Sequence, residues 1–333
     1  MKEFMLDIHI KLIAYLRDNI GEFFSNPQWF FMRKTARFHA IRNLKKASLK
    51  KWDNLRDIEK QESKIFPDIN VEDVVKSLEK DGLFQGINLP TDIVNDILQF
   101  ALNADCYGSK KPNFGFRVHE KEKAELHYGC KFLVARYFNT ASQCPAIKML
   151  ENDPILLTIA AKYFKTKPVH IANSLWWSFP KESTFLEQSK AAQVFHCDLD
   201  DYDFIKFFFY ITDVDLDSGP HVYIQGSHKK KKFFYQLLRG RATKEDLINY
   251  YGQENIVNIC GAAGWGFVED TFGYHKGSHP INQPRLILQV EFATHNYQTQ
   301  HDEIDPIHLK AISFEDEHQG NLNTQNLHSA KPK

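Results

Sequence analysis

The sequence predicts an α+β fold with a mainly β core: an antiparallel sandwich or jelly roll, flanked by helices, with an N-terminal helical extension. Two observations predict it. Apolar residues recur at helical spacing up to about residue 165, whereas from Val169 onward short apolar runs alternate with turn residues. Aromatic residues make up 14% of the chain, including 27 Phe, and bulky rings favour strands and sheet packing. Helices followed by a run of strands is the order expected of such a layered fold.

Residues 3–24 read as an amphipathic helix, with Phe4, Ile8, Leu12, Leu16 and Ile20 on one stripe and Asp7, Lys11 and Asp18 opposite. Pro27 interrupts it, and residues 28–63 read as a second, initially basic helical stretch. Trp29, Phe30 and Phe31 beside those charges leave peripheral contact with an anionic membrane open. The favoured reading is a solvated helix face whose aromatics pack on the main domain or on a second copy of the chain, as in a homodimer. Pro67 marks the boundary. Asn70 caps a helix with an acidic first turn that ends near Gly82. A short strand over 83–87 follows, then a helix from Pro90 to about Asn103. Residues 105–130 read as loops and short strands, 132–138 as a strand, and Asp153-Pro154 opens a helix to about Phe164.

Strands are expected at 169–179, 193–198, 205–212, 220–225, 256–260, 264–269 and 285–293. Residues 180–190 read as a charged loop, and 229–252 as a helical insertion rich in Lys and Arg. The expected parts are a helical extension (1–66), a main domain (67–314) and a polar, disordered tail (315–333).

Bulk properties narrow the function. The 42 basic and 42 acidic residues cancel, so nothing in the overall field asks for nucleic acid. No run of 18 uncharged apolar residues suggests a membrane span, and the charged N-terminus does not read as a signal peptide. Five cysteines without a CxxC spacing suggest free thiols and a cytoplasmic location.

The chemistry concentrates in His196-Cys197-Asp198, followed by His275 and Arg285. Two imidazoles and a carboxylate suit a divalent iron and leave coordination positions open. Strand alternation would put His196 and Asp198 on one face and turn Cys197 away as a packed thiol. His279 is the rival to His275 as distal ligand, with His275 favoured because it follows the apolar strand. His221 and His228 lie nearby without an assigned metal role. Trp176 and Trp177 should face opposite ways, one of them able to wall a pocket.

The neighbourhood reads Gln193-Val-Phe-His196-Cys-Asp198, then IKFFFYITDVDLDSGPHVYIQGSHK from Ile205, and AGWGFVEDTFGYHKGSHPINQPRLILQVEFA from Ala263. This ordered series resembles the phytanoyl-CoA dioxygenase family of Fe(II)- and 2-oxoglutarate-dependent oxygenases. The resemblance spans about residues 70–295 and is specific from 190 to 293. It implies a double-stranded β-helix, the cupin-like jelly roll. By the same resemblance His196, Asp198 and His275 ligate Fe(II), and Arg285 pairs with the far carboxylate of 2-oxoglutarate. Ser278 adds a hydroxyl contact, and Gln193 either hydrogen-bonds co-substrate or substrate or is a buried, satisfied strand Gln.

The implied reaction uses O2 to hydroxylate a C–H bond of a small molecule, releasing succinate and CO2. Because Asp198 occupies the place where related halogenases carry a small residue, hydroxylation is preferred over halogenation. Desaturation, ring closure and epimerisation start from the same hydrogen abstraction. The basic insertion could recognise an anionic handle on the substrate, such as a phosphate or CoA, although a solvated lysine cluster is the favoured reading. Three rivals stand beside this reading: a non-catalytic jelly-roll binding protein, a JmjC-like protein hydroxylase, and an iron enzyme that does not use 2-oxoglutarate. JmjC-type enzymes hold the co-substrate with a lysine elsewhere in the barrel, so Arg285 counts against them.

Overall fold

The computed structural model describes residues 21–50, 52, 58–237, 242–299 and 301–314. The helix expected over 3–24 and the tail expected over 315–333 lie outside these, apart from the helix's last few residues. In chain order the strands are β1 Leu83–Gln85, β2 Asp105–Gly108, β3 Gly115–Arg117, β4 Val134–Arg136, β5 Val169–Ser178 and β6 Phe204–Tyr210. They continue with β7 His221–Ile224, β8 Ile256–Ile259, β9 Gly266–Glu269, β10 His275–Gly277 and β11 Arg285–Ala293. Eight of them form one antiparallel sheet in the order β1-β9-β6-β11-β5-β4-β2-β3, and β10-β7-β8 form a second.

Alternation along β6 and β11 explains the layers. All seven residues of β6, Phe-Ile-Lys-Phe-Phe-Phe-Tyr, are buried because both faces of this strand are covered. Ile205, Phe207 and Phe209, with Leu286, Leu288 and Val290 of β11, join helix residues such as Val74, Leu78, Ile97 and Ile159 in the main core. The alternate residues Phe208, Tyr210 and Ile287 face the small sheet and meet its Tyr223 and Ile259. Each fully buried Phe contributes roughly 1.5–3 kcal/mol through burial alone. On that same inner face stand the polar residues Lys206, Arg285, Gln289 and Glu291, and they build the site described below.

The Val71–Asp81 helix forms as its ends dictate. Asn70 Oδ1 accepts from Glu72 N (3.1 Å) and Asp73 N (3.4 Å), and Gly82 closes the helix in the left-handed region at φ 77°. A Cβ at Gly82 would lie 2.2 Å from the Tyr223 hydroxyl and 2.4 Å from His228 Nδ1. Gly82→Ala should therefore lower stability by about 2–4 kcal/mol, combining left-handed strain with overpacking. A urea midpoint equal to wild type would contradict this.

Several elements differ from the sequence reading. Among the described residues the 28–63 stretch carries the helices Pro27–Thr35 and His39–Ser48, separated where Phe38 adopts an extended backbone, and is helical again at 58–59; residues 51 and 53–57 lie outside the described ones. Met32 and Ala36 pack on Ile171, Phe204 and Phe272, and Trp29 leans on Tyr297 at 5.6 Å. Arg42 leaves the solvent altogether, its guanidinium 3.9 Å from the centre of the Phe272 ring. The region read as loops at 105–130 includes a Lys121–Tyr128 helix closed by left-handed Gly129, because its residues are good helix formers. The charged loop 180–190 contains a Phe185–Lys190 helix, opened by a reciprocal capping box between Thr184 and Glu187.

The 193–198 segment is not a strand; His196 alone forms a bridge, antiparallel to His275. The insertion carries the helices Phe233–Leu237 and Lys244–Tyr251. Among the described residues no helix is long and apolar enough to cross a membrane.

Candidate metal centre

Two chain segments bring the predicted ligands together. His196 N donates to His275 O (3.0 Å), His275 N returns the bond to His196 O (2.9 Å), and Asp198 N donates to Thr271 O (2.9 Å). This short antiparallel pairing fixes both backbones side by side. His196, Asp198 and His275 thereby place one ligand atom each within 4.8 Å of one another. His196 Nε2 lies 3.7 Å from Asp198 Oδ1, and His275 Nε2 lies 3.5 Å from Asp198 Oδ2. Cis donors about 2.1 Å from a metal are themselves about 3 Å apart, so the three sit slightly wide of a closed shell.

The protonation states suit a metal. His196 Nδ1 is 2.9 Å from Val194 O, and His275 Nδ1 is 3.0 Å from Gly273 O. A carbonyl can only accept, so each Nδ1 carries a proton and Nε2 is the nitrogen that faces the centre. Burial, then the adjacent His275, pulls His196 down to about 3, which keeps it neutral. Burial also opposes protonation of His275, but the Asp198 carboxylate outweighs it and holds that pKa above the ordinary value. Burial disfavours the charge on Asp198 as well, yet Lys206 and then His275 hold its carboxyl well below the usual range. Asp198 is therefore an anion. Two imidazoles and a carboxylate form a donor set that fits iron or a similar divalent ion.

Lys206 is the residue that sequence reasoning missed. Its ammonium is buried and lies 2.8 Å from Asp198 Oδ2, 2.6 Å from Asp200 Oδ2 and 3.5 Å from Glu291 Oε2. The signal was a lone lysine inside the apolar run of β6. By tethering one carboxylate oxygen it limits how Asp198 can swing.

A cavity of about 200 Å³ opens from the three ligands. Arg285, the first residue of β11, lines it with the guanidinium buried: Nη1 donates to Gly219 O and Nη2 lies 3.3 Å from Ser178 Oγ. Gly277 leaves room for it, since a Cβ there would come within 3.0 Å of Arg285 Nη2. Ser178 is placed by sheet register directly opposite Arg285. Ser278 lies outside the cavity wall, its backbone N–H donating to Pro220 O (2.8 Å). Gln193 is also absent from that wall, with Oε1 3.0 Å from His279 Nδ1. His279 thus holds Gln193 and stands apart from the metal ligands. His221 lines the cavity, stacked on His275 with ring centres 5.5 Å apart, and its Nε2 is 2.6 Å from Glu269 Oε1.

Trp176 faces the cavity, while Trp177 on the other side of β5 donates from Nε1 to the Tyr137 hydroxyl (2.9 Å). Cys197 packs beside Ile224, Leu247 and Tyr274, away from the ligands.

No family model matches the sequence, and no curated protein matches it. Among solved structures the chain is similar to HygX from Streptomyces hygroscopicus, determined with nickel and 2-oxoglutarate bound: 13% identity, 68% of this chain and 87% of that one, TM-score 0.49. It is also similar to SnoN, a non-heme alpha ketoglutarate dependent epimerase from nogalamycin biosynthesis, at 12% identity, 67% and 82% coverage and TM-score 0.44. A third is AviO1 from Streptomyces viridochromogenes Tue57, at 12% identity, 67% and 95% coverage and TM-score 0.43. At this distance the chemistry has to come from the chain's own side chains.

Proposed function

We propose that the chain is an Fe(II)- and 2-oxoglutarate-dependent dioxygenase of the phytanoyl-CoA dioxygenase type, with a double-stranded β-helix core, that hydroxylates a C–H bond of a small molecule. One observation carries this reading: a neutral His, an anionic Asp and a second His converge at one end of a cavity whose wall holds a buried guanidinium. When bound, iron with 2-oxoglutarate and O2 supplies oxidation of a C–H bond to an alcohol, coupled to loss of CO2 and formation of succinate.

The chain's own residues bind, orient and exclude water. His196 and His275 present Nε2, Asp198 presents a carboxylate oxygen, and Lys206 keeps the other oxygen engaged. Arg285 receives the far carboxylate of 2-oxoglutarate, because a planar fork matches a carboxylate in two parallel bonds. Ser178 steadies that guanidinium. Ser278 and Gln193, with no place on the cavity wall, receive no role in this account. Trp176 and Phe208 close the walls against water.

The JmjC-like alternative needs a lysine free to hold the co-substrate. Of the two lysines on the cavity wall, Lys206 is occupied by three carboxylates, and Lys110 comes from the turn after β2 rather than from the strands that carry the metal ligands. Residues 67–314 would form the oxygenase domain, with 1–66 as its helical extension. The five cysteines, all free, fit a cytoplasmic setting.

Iron-loaded protein supplied with 2-oxoglutarate and O2 should form succinate in an iron-dependent way, even slowly without substrate; none under any substrate screen would refute the reading. Arg285→Ala should weaken 2-oxoglutarate binding about 100-fold, the loss expected for a charged hydrogen-bonded pair worth about 3 kcal/mol. Calorimetry on the metal-loaded protein measures it, and an unchanged affinity would remove Arg285 from the site.

A further inference from the structure

Resting on the oxygenase reading above, we propose that the molecule oxidised at this centre carries an oxyanion, a carboxylate or a phosphate ester, which Arg136 and Lys110 receive. Four cationic side chains line the cavity: Lys110, Arg136, Lys206 and Arg285. Lys206 is answered by Asp198, Asp200 and Glu291. Arg285 is answered by Gly219 O and Ser178, and in that reading by the co-substrate. Nothing among the described residues answers the other two.

Arg136 ends β4, directly across from Trp176 of β5. Its Nε and Nη2 are sealed from solvent without a hydrogen-bond partner. The guanidinium rests 5.0 Å from the Phe138 ring centre. Asp302 exerts some field on it, but that carboxylate is committed to Thr140, accepting from the backbone N–H at 2.9 Å and from the hydroxyl. A buried cation left without a counter-charge is costly, and an arriving anion removes the cost.

Lys110 reaches the same wall from the turn after β2. Ser109 and Lys110 are consecutive non-glycine residues in the left-handed region, at φ 53° and 61°. Ser109 N donates to Val134 O (2.9 Å), which holds the turn against β4. Backbone strain of this kind persists where a side chain must be presented. The residue as a whole is exposed, yet its ammonium feels Arg136, Asp198 and Lys206. Lys110 and Arg136 share one cavity wall, and a guanidinium fork with an ammonium on the same wall suits a carboxylate or phosphate. Trp176 and Phe208 line the same cavity, as do the metal ligands. The substrate this describes has an anionic head on Arg136 and Lys110 and an apolar body lying toward His196, Asp198 and His275.

The test uses the whole protein, metal-loaded, saturated with 2-oxoglutarate and kept free of O2. Calorimetry follows titration with butanoate, its uncharged counterpart butanamide, and methyl phosphate. Wild type should bind at least one of the two anions and not the amide, with affinity falling as salt rises. Arg136→Gln should weaken that binding at least tenfold and Lys110→Gln at least threefold, with 2-oxoglutarate affinity unchanged within twofold in both. Bound anion should raise the melting temperature of wild type and not that of Arg136→Gln.

Which anion binds tells carboxylate from phosphate. Equal anion binding by wild type and both variants, or no anion binding by a wild type that does take up 2-oxoglutarate, overturns the assignment alone. Loss of 2-oxoglutarate binding in Arg136→Gln also overturns it, by giving Arg136 to the co-substrate. A wild type that binds neither metal nor 2-oxoglutarate overturns the oxygenase reading, and this one with it.

Discussion

Asp198→Ala should release the divalent metal and abolish metal-dependent succinate formation, while the protein keeps its fold. The carboxylate is the single anion of the three-ligand set, and its loss leaves two neutral imidazoles to hold a dication. The fold should survive because Lys206 retains Asp200 at 2.6 Å and Glu291 at 3.5 Å, so no buried charge is stranded. Metal content after dialysis against a weak chelator reads the first effect, and a urea titration reads the second. Retention of a full equivalent of metal with normal turnover would remove Asp198 from the centre.

Lys206→Met should do the opposite, striking the fold at least as hard as the chemistry. The lysine is the cation common to three carboxylates, of which Glu291 is wholly buried at the β11 position opposite it. Removing one partner of a buried ion pair costs about 3–5 kcal/mol because the remaining charge is left without an answer. A domain with ordinary stability would lose a large part of it. Adding Glu291→Gln to Lys206→Met should recover some of the loss, since it puts a neutral amide in place of a carboxyl whose charge burial already disfavours. Strict additivity of the two changes in a double-mutant cycle would show that the network is not the cause.

How far this was legible depends on the distance over which a signal acts. His196, Asp198, His275 and Arg285 could be picked from the sequence because they lie in short motifs beside recognisable strands. The structure does bring the first three together and sets Arg285 on the same cavity. Trp176 and Trp177 could be separated by alternation alone. Helix ends at Asn70, Gly82 and Asp153 could be read because capping is a local matter of one or two hydrogen bonds.

What escaped was set by pairing between distant strands. Ser178 meets Arg285, and Arg136 meets Trp176, only through the registers of β11 with β5 and of β5 with β4. No local pattern announces that. The Lys121–Tyr128 and Phe185–Lys190 helices are hidden for another reason: their charges resemble loop composition, and each carries a capping signal at one end only, Gly129 in the first and Thr184 in the second. The basic insertion carries a third lesson. Lys231 proves buried, its ammonium 3.8 Å from the centre of the Phe272 ring, while the cations that line the cavity, Lys110, Arg136, Lys206 and Arg285, all lie outside the insertion.

The central claim is that one metal ion and one 2-oxoglutarate share this cavity, the second depending on the first. Calorimetric titration of 2-oxoglutarate into oxygen-free protein, with and without one equivalent of Fe(II), tests it directly. One molecule should bind per chain with the metal, and weakly or not at all without it. Equal binding in both cases, or none in either, would contradict it.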